Sequence, residues 1–179
     1  MCAPIDLTSG NVFLSPGTTP LRPGMTLGQL IGTQILPRLS RRVLNRHASF
    51  VGYGIGTFRL AGVEFFVSLD FEDPSSVRPV EHCRLTHVEL NILNPKVSPA
   101  SGWSTLFRSL CSDGVVVERE TYEIRDRQIR RQEEYRRWLQ NCLGQGFDVQ
   151  DYPPWGRVEL LRDDQTVACH IVVSYHIPD

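Results

Sequence analysis

The residues best suited to chemistry lie in the segment EHCRLTH, residues 81–87. A cysteine becomes a nucleophile when a base lies beside it, and cysteine and histidine are also ligands of zinc. If the segment is a strand, alternation places Cys83 and His87 on one face and His82 on the other. The segment alone supplies neither an oxyanion site nor three metal ligands, although His170 or His176 is available to complete a set across the sheet. We interpret these histidines as structural and keep a small enzyme using Cys83 and His87 as an alternative.

The most heavily charged segment is RDRQIRRQEEYRRW, residues 125–138. Residues 118–137 contain seven arginines and six acidic residues, so one positive charge is in excess. Acids often stand four positions before an arginine, as Glu123 does before Arg127, which stabilises an exposed helix. A helix that binds nucleic acid would leave its arginines unpaired toward phosphates. We therefore predict a long, self-paired helix and keep an RNA-binding module using residues 118–143 as an alternative.

Acidic residues cluster at the end of a predicted strand (Asp70, Glu72, Asp73) and in a predicted turn (Asp163, Asp164). Acids in such places usually form turns, but exposed carboxylates also suit the docking of a basic partner. Together with three arginines of the predicted helix, they make up the candidate partner-binding residues: Asp70, Glu72, Asp73, Asp163, Asp164, Arg127, Arg130 and Arg131.

The segment VGYGIGTF has glycines at positions 52, 54 and 56. This spacing is not GxGxxG, and a predicted hairpin follows instead of a helix, so a dinucleotide-binding loop is not indicated. Glycines within a strand are typical of a bulge or of a close backbone approach.

Composition restricts the classes of function. The 179 residues carry a formal net charge of −1, and the chain is ordinary in hydrophobic and charged content. This balance argues against a nucleic-acid partner, and no apolar run is long enough to cross a membrane. The five cysteines are scattered without metal-site spacing, and the N-terminal residues lack a secretion signal. We expect a cytoplasmic protein with no catalytic, cofactor-binding or metal-binding residues.

The clearest β pattern is TFRLAGVEFFVSLDF, residues 57–71, with Ala61-Gly62 at the centre of a tight turn. Three cross-strand pairs follow from that turn: Phe58 with Phe65, Leu60 with Val63, and Arg59 with Glu64. The first two pairs are apolar on one face and the third is a charge pair on the other, which supports the register. A further strand is predicted from Arg84 to Leu93, with its even-numbered residues from Thr86 to Ile92 facing the core.

A second hairpin is predicted in WGRVELLRDDQTVACHIVVSYHI, with its turn at Asp163-Asp164. This turn pairs Leu160 with Val167, Val158 with Cys169, and Gly156 with Ile171. One face is then apolar, and the opposite face carries polar or small residues: Arg157, Glu159, Ala168, His170, Ser174 and His176.

The order of elements predicts a single α+β domain over residues 1–179, with an antiparallel sheet and two helices packed on one face. Residues 1–25 are rich in Pro, Gly, Ser and Thr and predict an irregular N-terminal arm with one edge strand. Thr26 is placed to cap a short helix that ends at Gly32. Ser101 or Ser104 is expected to begin the first helix of the pair, and the arginine-rich segment forms the second.

Several motifs resemble those of a group of small bacterial cytosolic proteins that confer immunity to polymorphic or contact-delivered toxins. They are FLSPG followed by PGMTLGQL, then GVEFFVSLDF, YRRWLQNCLG, and YPPWGRVELLRDD with HIVVSYH. The resemblance spans most of the chain and implies an inhibitor fold without catalytic residues.

We therefore expect an immunity-type protein that binds one cognate toxin domain and blocks its active site. Such a protein needs a rigid framework and charged surfaces that speed association. The expected state is a monomer or weak homodimer, with no nucleic-acid or membrane partner.

Overall fold

A computed structural model describes residues 3–36, 45–47, 50–72, 79–93, 99–112, 117–121, 154–163 and 168–176; for residues 45–47, 50, 99–104, 117–121, 161–163 and 168–169 only the backbone is described. The elements in chain order are β1 (Ile5–Asp6), β2 (Asn11–Val12), α1 (Leu27–Leu30), β3 (Asn45–His47), β4 (Phe50–Leu60), β5 (Val63–Glu72), a 3-10 helix (Val80–His82), β6 (Arg84–Ile92), α2 (Pro99–Leu110), β7 (Val117–Thr121), β8 (Gly156–Asp163) and β9 (Ala168–Tyr175).

Seven strands form the main sheet in the order β3-β4-β5-β6-β9-β8-β7. All neighbouring pairs are antiparallel except β7 and β8, which run parallel. β1 and β2 form a separate two-stranded sheet. The predicted α+β class is confirmed, whereas the prediction of a wholly antiparallel sheet is wrong at its β7 edge.

The first predicted hairpin is confirmed in turn and register. Phe58 pairs with Phe65, Arg59 with Glu64, and Leu60 with Val63. Ala61 and Gly62 both have positive φ, 47° and 82°, as a two-residue type I′ turn requires. The turn therefore fixes which side chains of β5 face the core.

The core lies on one side of this sheet. On β5 it receives four fully buried residues in strict alternation: Phe65, Val67, Leu69 and Phe71. Val88 and Leu90 of β6 and Val158 and Leu160 of β8 continue the same cluster across the sheet. Alternation with a period of two is what divides the sheet into a dry side and a polar side.

The second hairpin is confirmed as a hairpin, but its predicted register is wrong. Leu160 pairs with Ile171 instead of Val167, and Asp163 pairs with Ala168, so residues 164–167 make the connection. The turn is therefore displaced by two residues and every pairing by four. Because four is an even number, each residue keeps its predicted face.

The start of the predicted arginine-rich helix is also corrected. Val117–Thr121 form strand β7, paired with Glu159–Asp163 of β8. Val117 and Thr121, at the two ends of VERET, are β-branched, and β-branched residues favour a strand. Residues 122–143, including Arg127, Arg130 and Arg131, lie outside the described residues.

Two helices accompany the sheet. Thr26 precedes α1 as predicted, and its amide donates a hydrogen bond to the Gln29 side chain at 3.0 Å. α2 begins at Pro99, earlier than predicted, since proline suits the first turn of a helix. Its buried residues Leu106, Phe107 and Leu110 join the core. Within the described residues, no helix has the length and apolar character needed to cross a membrane.

The N-terminal residues contribute to the same core through Ile5, Leu7 and Val12. Aromatic residues of the second hairpin hold this segment in place. The Trp155 indole donates to the Leu7 carbonyl at 3.0 Å, and the buried Tyr175 hydroxyl donates to the Gly10 carbonyl at 2.8 Å. The segment predicted as an irregular arm thus carries two short strands and several core residues.

Candidate functional site

The side of the sheet opposite the core gathers most of the described polar side chains of the central strands. We call it the polar face, and define it by these residues: Ser68, Asp70 and Glu72 of β5, His87, Glu89 and Asn91 of β6, His170 and Ser174 of β9, and Arg157 and Glu159 of β8. Alternation along each strand places them together, because the intervening residues face the core.

Rows of paired residues run across the strands of this face. The register gives three rows, each written in the strand order β4, β5, β6, β9, β8. They are Gly52, Asp70, His87, Ser174 and Arg157; then Gly54, Ser68, Glu89, Val172 and Glu159; and then Thr57, Phe66, Asn91, His170 and Leu161. Residues directly opposite each other on antiparallel strands have Cβ atoms about 5 Å apart, so neighbours in a row can interact. The polar face is therefore continuous across the long central strands, but much of its middle row is withdrawn from solvent, since Ser68, Val172 and Glu159 are buried.

Asp70 occupies the most unusual position on this surface. It lies in mid-sheet between Gly52, which has no side chain, and His87. Burial raises the pKa of its carboxyl group to about 6, with the negative charge of Glu89 as the second cause. An aspartate in this setting resists ionisation because both desolvation and a like charge disfavour the charged form.

Glu89 is held in the neighbouring row. The Ser68 hydroxyl donates a hydrogen bond to Glu89 Oε2 at 3.2 Å. Ser68 is only 9% exposed, so this contact is close to the sheet backbone and largely withdrawn from solvent. The bond fixes a carboxylate beside Asp70, its diagonal neighbour in the sheet.

His87 lies directly opposite Asp70. Its Nδ1 is 3.1 Å from the Thr86 hydroxyl, which itself donates to the Asp70 carbonyl at 3.0 Å. Burial lowers the pKa of His87, although the acidic residues Glu89 and Glu72 act in the opposite direction. The neutral form of the His87 imidazole is therefore favoured, and the neighbouring Asp70 carboxyl group likewise favours its neutral form.

The β9–β8 side of the face is internally paired. His170 Nδ1 contacts the Asn91 side-chain oxygen. Arg157 Nε lies 3.3 Å from Glu159 Oε2, and Glu159 is only 7% exposed. Arg157 therefore balances the charge of a buried glutamate on its own strand.

The glycines of β4 behave as predicted. The register shifts between Gly54 and Gly56, which marks a bulge, and Gly56 has a φ of 116°. Gly52 and Gly54 stand opposite Asp70 and Ser68, so β4 presents no side chains beside them. Gly54 is exposed, whereas Gly52, the neighbour of Asp70, is buried.

The Cys83 and His87 pair predicted from the sequence is not formed. Cys83 precedes β6 and is buried in the core cluster, whereas His87 lies on the polar face. A bulge near Thr86 inserts one residue and changes the alternation between them. His82 is exposed at the end of the 3-10 helix. These side chains therefore cannot act as one constellation.

The predicted acidic surface is divided. Asp70 and Glu72 lie in the last three residues of β5, and both are partly buried. Asp163 ends β8 opposite Ala168, at the far end of the sheet near the β4–β5 turn, and its side chain is not described. Asp73 and Asp164 lie outside the described residues. No single patch of described residues joins Asp70 with Asp163.

Sequence reasoning missed Ser68, Glu89 and Asn91 as members of the site. The signal was available, because the residues between the predicted inward positions of β6 must face the other side. Among the residues described, no group of three or more histidine, cysteine, aspartate or glutamate side chains is placed to hold a metal ion.

Searches with models of protein families, among characterised proteins and among solved structures gave no match to this chain.

Proposed function

We propose that the protein is an immunity-type inhibitor, which binds a cognate bacterial toxin domain in the cytoplasm and blocks its active site. The observation that carries this proposal is the acidic character of the polar face around Asp70, Glu72 and Glu89. These carboxylates stand on the central strands β5 and β6, where hydrogen bonding between strands holds their positions.

The negative charge of the carboxylates on β5 and β6 favours a basic partner. Within the described part of the polar face, acidic residues outnumber arginines, and Arg157 is paired with Glu159. A surface of one sign attracts a partner of the opposite sign and raises the rate of association. A toxin that acts on nucleic acid presents a basic active site, and a carboxylate surface can cover it.

Rigidity supports the same function. Carboxylates held on strands lose little conformational freedom on binding, so more of the interaction appears as affinity. Asp70 and Glu72 are partly exposed, so an arginine or lysine of a partner can reach their carboxyl groups.

Co-purification tests the function directly. The chain is produced together with the C-terminal domain of a secreted protein encoded by the neighbouring upstream gene, and cell survival is scored with and without it. We expect a stable complex and protection. A neighbouring toxic domain that neither binds the chain nor is neutralised by it would refute the proposal.

Charge reversal tests the location. Glu72→Lys on the polar face is expected to weaken the complex at least tenfold, mainly through slower association. Glu81→Lys, an exposed change in the 3-10 helix outside the polar face, is the matched control and should leave the affinity unchanged. Equal affinity for both variants would place the interface elsewhere.

A further inference from the structure

Asp70 lacks the partners that a buried carboxylate normally has. Among the residues that the structure describes, no side chain or amide donates a hydrogen bond to its carboxylate, and no arginine or lysine forms an ion pair with it. Its neighbour on β4 is Gly52, and its neighbour on β6 is His87. Hydrogen bonds to a carboxylate favour its charged form, and no described protein group supplies one to this half-buried residue.

The charged groups around Asp70 make ionisation harder still. On β5 itself the next charged residue on this face is Glu72, and on β6 it is Glu89. The described arginines on this side are placed elsewhere in the register: Arg84 stands opposite Glu72, and Arg157 pairs with Glu159 on β8, three strands from β5. His170 lies in another row and contacts Asn91. Asp70 therefore faces negative charge without a described cation beside it.

Glu89 has a hydrogen-bond donor beside it, which Asp70 lacks among the described residues. It accepts a hydrogen bond from the Ser68 hydroxyl at 3.2 Å. When two carboxyl groups interact closely, one of them keeps a proton at a pH where an isolated group would have lost it. The structure assigns that proton to Asp70.

We propose that Asp70 and Glu89 form a pH-sensitive switch within the sheet: Asp70 holds a proton in mildly acidic solution, and loss of that proton to solvent near neutral pH places two unshielded negative charges on adjacent strands and weakens the β5–β6 pairing. The switch is a property of the free protein and does not depend on the proposed function.

The direction of the effect follows from the two shifted groups. The pKa of Asp70 is raised from 3.8 to about 6, so its contribution to stability is present below 3.8 and is lost as the pH rises through about 6. The pKa of His87 is lowered below 6.5, so its contribution is present above 6.5 and is lost as the pH falls through the lowered value. Over this interval the two contributions have opposite signs, because the His87 contribution grows as the pH rises toward 6.5 while the Asp70 contribution falls. Asp70→Asn keeps His87, so a comparison of this variant with the wild type isolates the Asp70 contribution.

The test compares thermal unfolding of the wild type and Asp70→Asn between pH 5 and 7.5. In the wild type the unfolding midpoint should fall by a few degrees over this interval relative to Asp70→Asn, which cannot ionise and should lack this part of the dependence. Glu64→Gln, an exposed change on the same strand, is the control and should keep the wild-type profile. Identical profiles for the wild type and Asp70→Asn would overturn the proposal.

A direct measurement covers the case in which Asp70→Asn does not fold. The carboxyl carbon of Asp70 is followed by NMR during a pH titration of the wild type and of Glu89→Gln. We expect a midpoint near 6 in the wild type and a lower midpoint in Glu89→Gln, since the like charge is removed. A wild-type midpoint near 4, or no change in Glu89→Gln, would contradict the switch.

Discussion

Strand β5 presents Phe65, Val67, Leu69 and Phe71 to one side of the sheet and Phe66, Ser68, Asp70 and Glu72 to the other. The first four are fully buried in a cluster that β6, β8, β9, α2 and the N-terminal segment complete. Of the second four, only Ser68 is buried, at 9% exposed. The two sides are formed by alternate residues of one strand. The backbone conformation is the same for both, so the difference between the sides comes from the side chains and their surroundings.

The two sides of the sheet meet different structural requirements. The core side needs close packing, since each buried apolar group stabilises the fold and each void costs free energy. The polar side holds carboxyl, imidazole and hydroxyl groups in fixed positions, and it can tolerate an arrangement such as Asp70 beside Glu89 because the core side stabilises the same strands. A substitution should therefore have very different effects on the two sides.

Two adjacent phenylalanines offer the strongest test of this contrast. Phe65→Ala should lower the free energy of unfolding by about 3–5 kcal/mol, because it opens a cavity in a fully buried cluster. Phe66→Ala, at the next position on the polar side, is the matched control and should cost less than half as much, since Phe66 is only partly buried. Urea unfolding measures both. Equal losses would mean that the polar side is packed as closely as the core.

The first hairpin shows how far sequence could predict the fold. Ala61-Gly62 lies between two alternating runs, and only one register makes Phe58–Phe65 apolar and Arg59–Glu64 complementary in charge. Turn chemistry and alternation therefore gave the same answer, which the structure confirms. Where local signals agree in this way, the register is determined without tertiary information.

The second hairpin had a weaker signal. The acidic pair Asp163-Asp164 is a good turn former, but a displacement of two residues leaves the same residues on the apolar face. The pattern therefore fixed the faces and not the register, which the observed pairing of Leu160 with Ile171 decides. At β7 the error was larger, because the charged run VERET matches an exposed helix as well as a sheet edge, and its parallel partner is remote in sequence.

The candidate site was predictable only in part. Asp70 and Glu72 were selected, but as exposed acids at the end of a strand, because the sequence alone does not show how far each side of β5 is buried. Cys83 and His87 were expected on one face, and a bulge near Thr86 separates them. Bulges depend on the neighbouring strand, so a rule based on strict alternation cannot locate them.

Two neighbouring hydroxyl groups on β9 sharpen the comparison at a smaller scale. The Tyr175 hydroxyl, on the core side, donates to the Gly10 carbonyl at 2.8 Å. Tyr175→Phe should cost about 1–2 kcal/mol, because the Gly10 carbonyl loses its donor in a buried place. Ser174→Ala on the polar side should change stability by less than about 0.5 kcal/mol. Chemical unfolding that gave Ser174→Ala the larger loss would reverse the assignment of the two sides.

The smallest effect concerns the hydrogen bond between Ser68 and Glu89. Ser68→Ala should lower the free energy of unfolding by about 0.5–1.5 kcal/mol, because the 3.2 Å bond to the Glu89 carboxylate is lost close to the sheet backbone. A double-mutant cycle with Glu89→Gln isolates the coupling between the two side chains. We expect a positive coupling at both pH 7.5 and pH 5, because the repulsion between Asp70 and Glu89 is the same with and without the Ser68 hydroxyl and cancels in the cycle. A coupling of zero at both pH values would show that Ser68 does not fix Glu89, and the polar side would then be a set of independent surface groups.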